Sequence, residues 1–173
     1  MKQKSLLLIS AISFLIFACS SSMPGWASKV PAKKGYMYTV GSGLEDDMQQ
    51  AIIEAEALAR SQLAQNLQVE VAGMVSRVNE SVKNRSTQAN FKTGIDLVYS
   101  TDLSDTRTAK QEVSKEKGLF RAYVLMEYDL GAANDRLLAK IKSDEELYDA
   151  MRTTELYKEM EDKVEAYRKR HSK

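Results

Sequence analysis

One cysteine is the residue with the most evident chemistry in this chain. Cys19 is the only cysteine among 173 residues, so it cannot form a disulfide within its own chain. An unpaired cysteine in an exported protein stays a free thiol, bridges two chains or is covalently modified. A buried and inert side chain is the structural alternative. The residues around Cys19 favour modification.

The residues before Cys19 have the layout of a secretory signal peptide. Two lysines form a basic start, an apolar run follows at 6–17, and the small Ala18 precedes the cysteine. The apolar run has about a dozen residues, whereas a membrane-spanning helix needs about 20. The pattern therefore predicts a signal peptide at 1–18 and export of the rest of the chain.

The segment Ile16-Phe17-Ala18-Cys19 resembles the bacterial lipobox, although Phe17 is bulkier than the residue usual at its position. The resemblance implies that Cys19 is lipidated and becomes the first residue of the mature chain. Lipidation of this kind supplies more than one acyl chain, and two anchoring signals suffice for stable attachment to a membrane. In bacterial lipoproteins a residue other than Asp after the cysteine implies release to the outer membrane. Ser20 stands at this position, so the resemblance implies an outer-membrane protein that faces the periplasm.

The length and net charge of the chain narrow the range of possible functions. Loss of the signal peptide leaves about 155 residues, which is enough for one domain. The formal charge of +1 falls to about −1 because the signal peptide removes two lysines. A near-neutral chain argues against nucleic-acid binding, which depends on a basic surface.

Few residues have the types and spacing that catalysis requires. The only histidine, His171, lies in a basic tail next to the C-terminus, where residues are usually mobile. The acidic run at 144–146 could hold a metal, but the first turn of a helix is the better interpretation. Gly41-Ser42-Gly43 lacks the remaining residues of a phosphate-binding loop, and a strand-to-helix turn is the better interpretation. We predict no catalytic residue, metal site or cofactor.

The elements that would position these residues follow from hydrophobic periodicity. Alternation at 36–40 predicts a strand, and Ser42 with Glu45 three residues later predicts a capped helix start. A long helix from Leu44 is predicted by apolar residues at steps of three and four, and its pattern continues toward Val78. The buried stripe of that helix is expected to contain Met48, Ile52, Ala55, Ala59, Leu63 and Leu67.

The second half of the chain predicts strands followed by helices. We expect a polar loop or a fraying helix end at 79–90, then strands at 95–100, 106–113 and 119–130. The last strand should bury Phe120, Ala122, Val124, Met126 and Tyr128 on one face and place Arg121, Tyr123, Glu127 and Asp129 on the other. A short helix is expected at 132–142, and a last one begins at a cap formed by Ser143 and Glu146.

These elements predict an α+β fold, with a long helix packed on an antiparallel sheet of about four strands and with C-terminal helices. After the signal peptide we expect a lipidated tether at 19–34, a helix-on-sheet domain at 35–142 and a helical extension at 143–173.

Several stretches together resemble the Lpp-twenty (Helicobacter-type) outer-membrane lipoprotein family, which is related to the flagellar basal-disk lipoprotein P. They are the lipobox, Pro-x-Trp at 24–26, "GYMYTVGSG" from Gly35, the alanine-rich helix at 51–71 and "GLFRAYVLMEY" at 118–128. The resemblance implies an outer-membrane lipoprotein with a helix-on-sheet domain and no established enzymatic activity.

Two functional hypotheses of different classes follow. The first is a non-enzymatic structural or assembly role in the cell envelope. Its partners would be the membrane, through the lipid on Cys19, and either further copies of the chain or an envelope or flagellar protein. The second is a periplasmic module that binds a small ligand or peptidoglycan fragment in a groove between helix and sheet. An enzyme is the least favoured class.

Overall fold

The computed structural model describes residues 23–100 and 106–172. They form an α+β fold in which a long helix packs on an antiparallel sheet and helices follow at the C-terminus. The predicted fold class is confirmed, but the sheet has three strands rather than four. The elements are α1 (Gly25–Ser28), β1 (Tyr36–Glu45), α2 (Met48–Ser81), α3 (Arg85–Ser100), β2 (Thr106–Glu116), β3 (Leu119–Asp129), α4 (Leu130–Lys142), α5 (Glu145–Met151) and α6 (Glu155–His171).

The central strand is β3, which pairs antiparallel with β1 on one side and β2 on the other. Between β2 and β3 lie Lys117 and Gly118, both with positive φ, at 50° and 96°. A two-residue connection with positive φ at both positions is the favoured hairpin turn because its twist matches that of the strands. As predicted, Val124 and Met126 of β3 are buried.

The long helix lies directly on the backbone of β1. A Cβ atom on Gly41 would stand 1.9 Å from the carbonyl oxygen of Ala55, and one on Gly43 would stand 2.2 Å from that of Ala51. Only glycine allows so close an approach. The hydroxyl of Thr39 also donates to the carbonyl of Ala59 at 2.8 Å. These contacts leave no space between α2 and β1.

The predicted start of the long helix was wrong. Ser42 and Glu45 belong to β1, and α2 begins after Asp47, whose carboxylate accepts from the N–H of Gln50. The glycines that suggested a turn keep the strand extended beneath the helix. The buried stripe starts at Ala51, because the predicted Met48 is 48 % exposed and the predicted Ile52 is only partly buried. The stripe is Ala51, Ala55, Ala59, Leu63, Leu67, Met74 and Val78.

The predicted strand at 95–100 was also wrong, because this segment is the end of α3. Phe91, Ile95 and Tyr99 are buried at steps of four, while Leu97 is 57 % exposed. The predicted loop at 79–90 is shorter than expected, since only three residues separate α2 from α3.

The C-terminal helices bury their apolar sides against α2, α3 and one another. α4 begins at Leu130, two residues before the predicted start. The cap of α5 is Asp144, which accepts from the N–H of Leu147, and not Ser143. The predicted last helix is divided, because Thr154 caps a separate helix, α6.

The segment before β1 is in contact with the sheet. Pro24 and Ala27 are buried, and α1 contacts β3. Part of the chain that the sequence predicts as a tether therefore packs on the domain.

Candidate functional site

The predicted lipidation residue, Cys19, lies outside the described residues, as does the predicted signal peptide at 1–18. Within the described parts of the chain, no helix is both long and apolar enough to cross a bilayer.

A buried carboxylate forms the most connected polar cluster of the sheet. Glu127 of β3 is 6 % exposed and lies on the face opposite α2. The hydroxyl of Tyr38 on β1 donates to its Oε2 at 2.6 Å, and Nε of Arg107 on β2 donates to its Oε1 at 2.8 Å. Nη2 of Arg107 bonds the same oxygen. Glu127 thus joins all three strands on the outer face.

These contacts fix the charge of the cluster. Burial alone would raise the pKa of Glu127, but the hydrogen bonds from Tyr38 and Arg107 and the charge of Arg107 outweigh it and lower the pKa. Burial, followed by the hydrogen bond to Glu127, raises the pKa of Tyr38 to about 12. A general acid or base works best with a pKa near neutral pH, so the cluster suits a structural role.

The other candidate residues have structural partners. Asp144 caps α5, and the carboxylate of Glu146 accepts from Asn84, Ser86 and Thr87 at the start of α3. This acidic run therefore joins α5 to α3, in agreement with its interpretation as a helix first turn. His171 is exposed at the end of α6, with Nδ1 3.0 Å from the carbonyl oxygen of Tyr167. The described residues contain no group of three or more potential metal ligands.

A groove of about 590 Å³ lies between α2 and α3. Ligand sites typically have volumes of about 300–1,000 Å³ and are mostly apolar with a few polar groups. Leu67, Val71 and Val75 supply apolar surface here, and Lys92 and Asp96 form an ion pair of 3.2 Å at the wall. The groove lies between two helices, and not between helix and sheet as expected for the binding module of the second hypothesis.

The sequence contains one indication of this groove, although hydrophobic periodicity alone does not identify it. Val71 and Val75 continue the apolar pattern of α2 beyond the sheet, and Ala64 and Ala72 are small. Small side chains on one helix leave room beside a second helix. Because 95–100 was predicted as a strand, that second helix was missing from the prediction.

Comparisons with protein-family models, with curated proteins and with solved structures give no match for this chain. The resemblance to the Lpp-twenty family therefore stays a prediction based on the residues quoted for it.

Proposed function

We propose that this protein is a non-enzymatic lipoprotein of the outer membrane. It is anchored by lipid on Cys19, faces the periplasm and has a structural or assembly role in the cell envelope. A flagellar association is one form of this role and comes from the family resemblance alone. The proposal rests on the signal-peptide layout and on the position of α1.

The packing of the N-terminal segment is the observation that carries the proposal. Pro24 is already buried on the domain, five residues after Cys19. Five extended residues span at most about 18 Å. A lipid on Cys19 would therefore hold the domain at the bilayer surface, with little freedom to reach distant substrates. Such a short connection suits a component that assembles at the membrane.

The anchor is tested by replacing Cys19 with Ser in the full chain. We expect the variant to lose incorporation of labelled fatty acid completely and to accumulate as the unprocessed precursor. Ser20→Ala is the matched control and should label normally, because it removes a neighbouring hydroxyl and leaves the thiol. Normal labelling of the Cys19→Ser variant would overturn the lipoprotein proposal.

A binding module for a small ligand is the alternative, and the groove between α2 and α3 favours it. Its mostly apolar lining would suit an apolar ligand better than a charged one. A chain that stays monomeric at high concentration and binds an apolar dye in a one-to-one complex would favour this alternative over assembly.

A further inference from the structure

The two edges of the sheet differ in how well they are protected against pairing with another strand. β2 has charged residues along its length and an irregular register between Thr108 and Lys110. Charges and bulges are the usual devices that prevent edge-to-edge association. β1 has no charged residue from Tyr36 to Leu44. Within the described residues it pairs with β3 alone, so its other side is an edge.

The hydrogen-bonding groups of this edge can be identified. The N–H of Leu44 bonds the carboxylate of Glu54 on α2 at 2.9 Å, so it points away from β3. The carbonyl of Gly35, just before β1, accepts from the N–H of Leu130, the residue that follows β3, so it points toward β3. Backbone groups alternate in direction along a strand. Val40 and Ser42 therefore direct their backbone groups toward the open edge, whereas the N–H of Leu44 on the same side is already bonded to Glu54.

An exposed apolar side chain lies beside the open edge of β1. Leu58 lies one helical turn after Glu54, on the side of α2 where Glu54 reaches the edge, and is 44 % exposed. A strand that added to β1 would cover this side chain.

The charges at the two ends of β1 indicate which strand pairs with this edge. Lys33 and Lys34 precede β1 and are exposed, and Asp46 and Asp47 follow it and are also exposed. If β1 pairs antiparallel with β1 of a second copy, the basic end of each strand meets the acidic end of the other. In the register that places Val40 opposite its equivalent, Lys34 lies opposite Asp46 of the second copy.

We propose that the open edge of β1 pairs with the same edge of a second copy around a twofold axis, which joins two three-stranded sheets into one of six strands. Such an interface is self-complementary, as twofold contacts require. It deepens the proposed structural role by naming the partner. The self-pairing depends on the proposed membrane anchor in one respect only, because attachment to the membrane raises the effective concentration of the copies.

The pairing is tested by cross-linking the full chain in membranes. With Val40→Cys, two paired copies would place their Cα atoms about 5.5 Å apart, within the range of about 4.4–6.8 Å that a disulfide spans. We expect mild oxidation to give about tenfold more dimer than Gln111→Cys, an exposed position on the β2 edge. Equal dimer from the two variants would overturn the proposal.

A second substitution separates pairing from random collision. Ser42→Pro removes an N–H that points to the open edge, a position where an edge strand tolerates proline. The dimer formed by Val40→Cys should be lost in the double variant, while circular dichroism shows that the fold is kept. Persistence of the dimer would contradict strand pairing.

Charge exchange tests the register. Lys34→Glu and Asp46→Lys should each reduce cross-linking of Val40→Cys, and their combination should restore it because opposite charges face each other again. A combination no better than the single changes would overturn the antiparallel self-pairing.

Failure of the anchor gives a different result. The chain would then lack fatty-acid label, and the comparison of Val40→Cys with Gln111→Cys is made in solution at high concentration with Cys19→Ser in both variants, so that only the added cysteine can cross-link.

Discussion

At the scale of single residues, Glu127 shows how one carboxylate can organise a surface. It is almost fully buried, yet remains charged because Tyr38 and Arg107 bond both of its oxygens. The sequence predicted Glu127 only as a polar residue on the outer face of β3. Its partners lie 89 and 20 positions away in the chain. Periodicity assigns a residue to a face, but it does not indicate which distant residues meet there.

The lowered pKa of Glu127 gives a prediction for stability against pH. A carboxyl with a lower pKa in the folded state stabilises the fold above its unfolded pKa of about 4.3 and loses this contribution as pH falls through the folded value. Glu127→Gln should therefore cost about 1–3 kcal/mol near neutral pH. It should also flatten the fall in unfolding free energy on acidification below pH about 4.3, as measured by denaturant titration.

Glu112→Gln is the matched control for this change. Glu112 lies on β2 opposite Tyr123, on the same face of the sheet, and is exposed. Its replacement should leave stability within about 0.5 kcal/mol of the wild-type value. Equal losses for the two variants would show that Glu127 has no special role.

At the scale of elements, α3 explains why one strand too many was predicted. Ile95 and Tyr99 are four residues apart, and a step of four fits both the helical repeat and two strand repeats. Leu97 completed the alternation but is exposed in the helix. Phe91, which lies four residues before Ile95, distinguishes a helix from a strand. It was not included in any predicted element. Its burial shows the helical repeat.

This difference can be tested by truncating the two side chains. Ile95→Ala should destabilise the fold by about 2–5 kcal/mol because it leaves a cavity in the core. Leu97→Ala should change stability by no more than about 0.5 kcal/mol because the side chain is mostly exposed. In a strand both residues would share one face and both changes would be costly. Similar losses in chemical denaturation would contradict the helix.

The glycines of β1 show a second limit of prediction at this scale. Gly41 and Gly43 suggested a strand-to-helix turn, but they lie within the strand and admit α2 at backbone distance. Glycine is equally suited to turns and to close contacts between backbones, and the local sequence does not distinguish these two uses. By contrast, β3 has a clear alternating pattern and was predicted to within one residue of its observed bounds, whereas β2 begins at Thr106 as predicted but ends three residues later than predicted, at Glu116.

At the scale of the whole molecule, one helix connects two packed regions. The first part of α2 covers the sheet, and its second part packs with the C-terminal helices. Met126 and Tyr128 of β3 belong to the same core cluster as residues of α3, α4, α5 and α6. The larger core cluster therefore includes residues of both the sheet and the helices, and we expect them to unfold together.

The packing of α1 extends this expectation to the N-terminal segment. Trp26 is the only tryptophan in the chain and is partly buried in α1, which contacts β3. Its fluorescence should therefore change in a single transition with denaturant, at the midpoint that far-ultraviolet circular dichroism gives for the helices. A free tether would show no transition in fluorescence.

Ala27→Glu places a charge at a buried position beside Trp26, and it should release α1 because an unpaired buried charge is unfavourable. The emission of Trp26 should then match that of the unfolded chain, while the circular dichroism midpoint falls less than in Ile95→Ala. Ser28→Glu, at the exposed neighbouring position, adds the same charge and should leave the emission unchanged. Under the proposed anchor on Cys19, release of α1 would lengthen the connection to the membrane, so Ala27→Glu also tests whether the proposed assembly needs close attachment. Unchanged emission in Ala27→Glu would mean that α1 does not pack on the sheet.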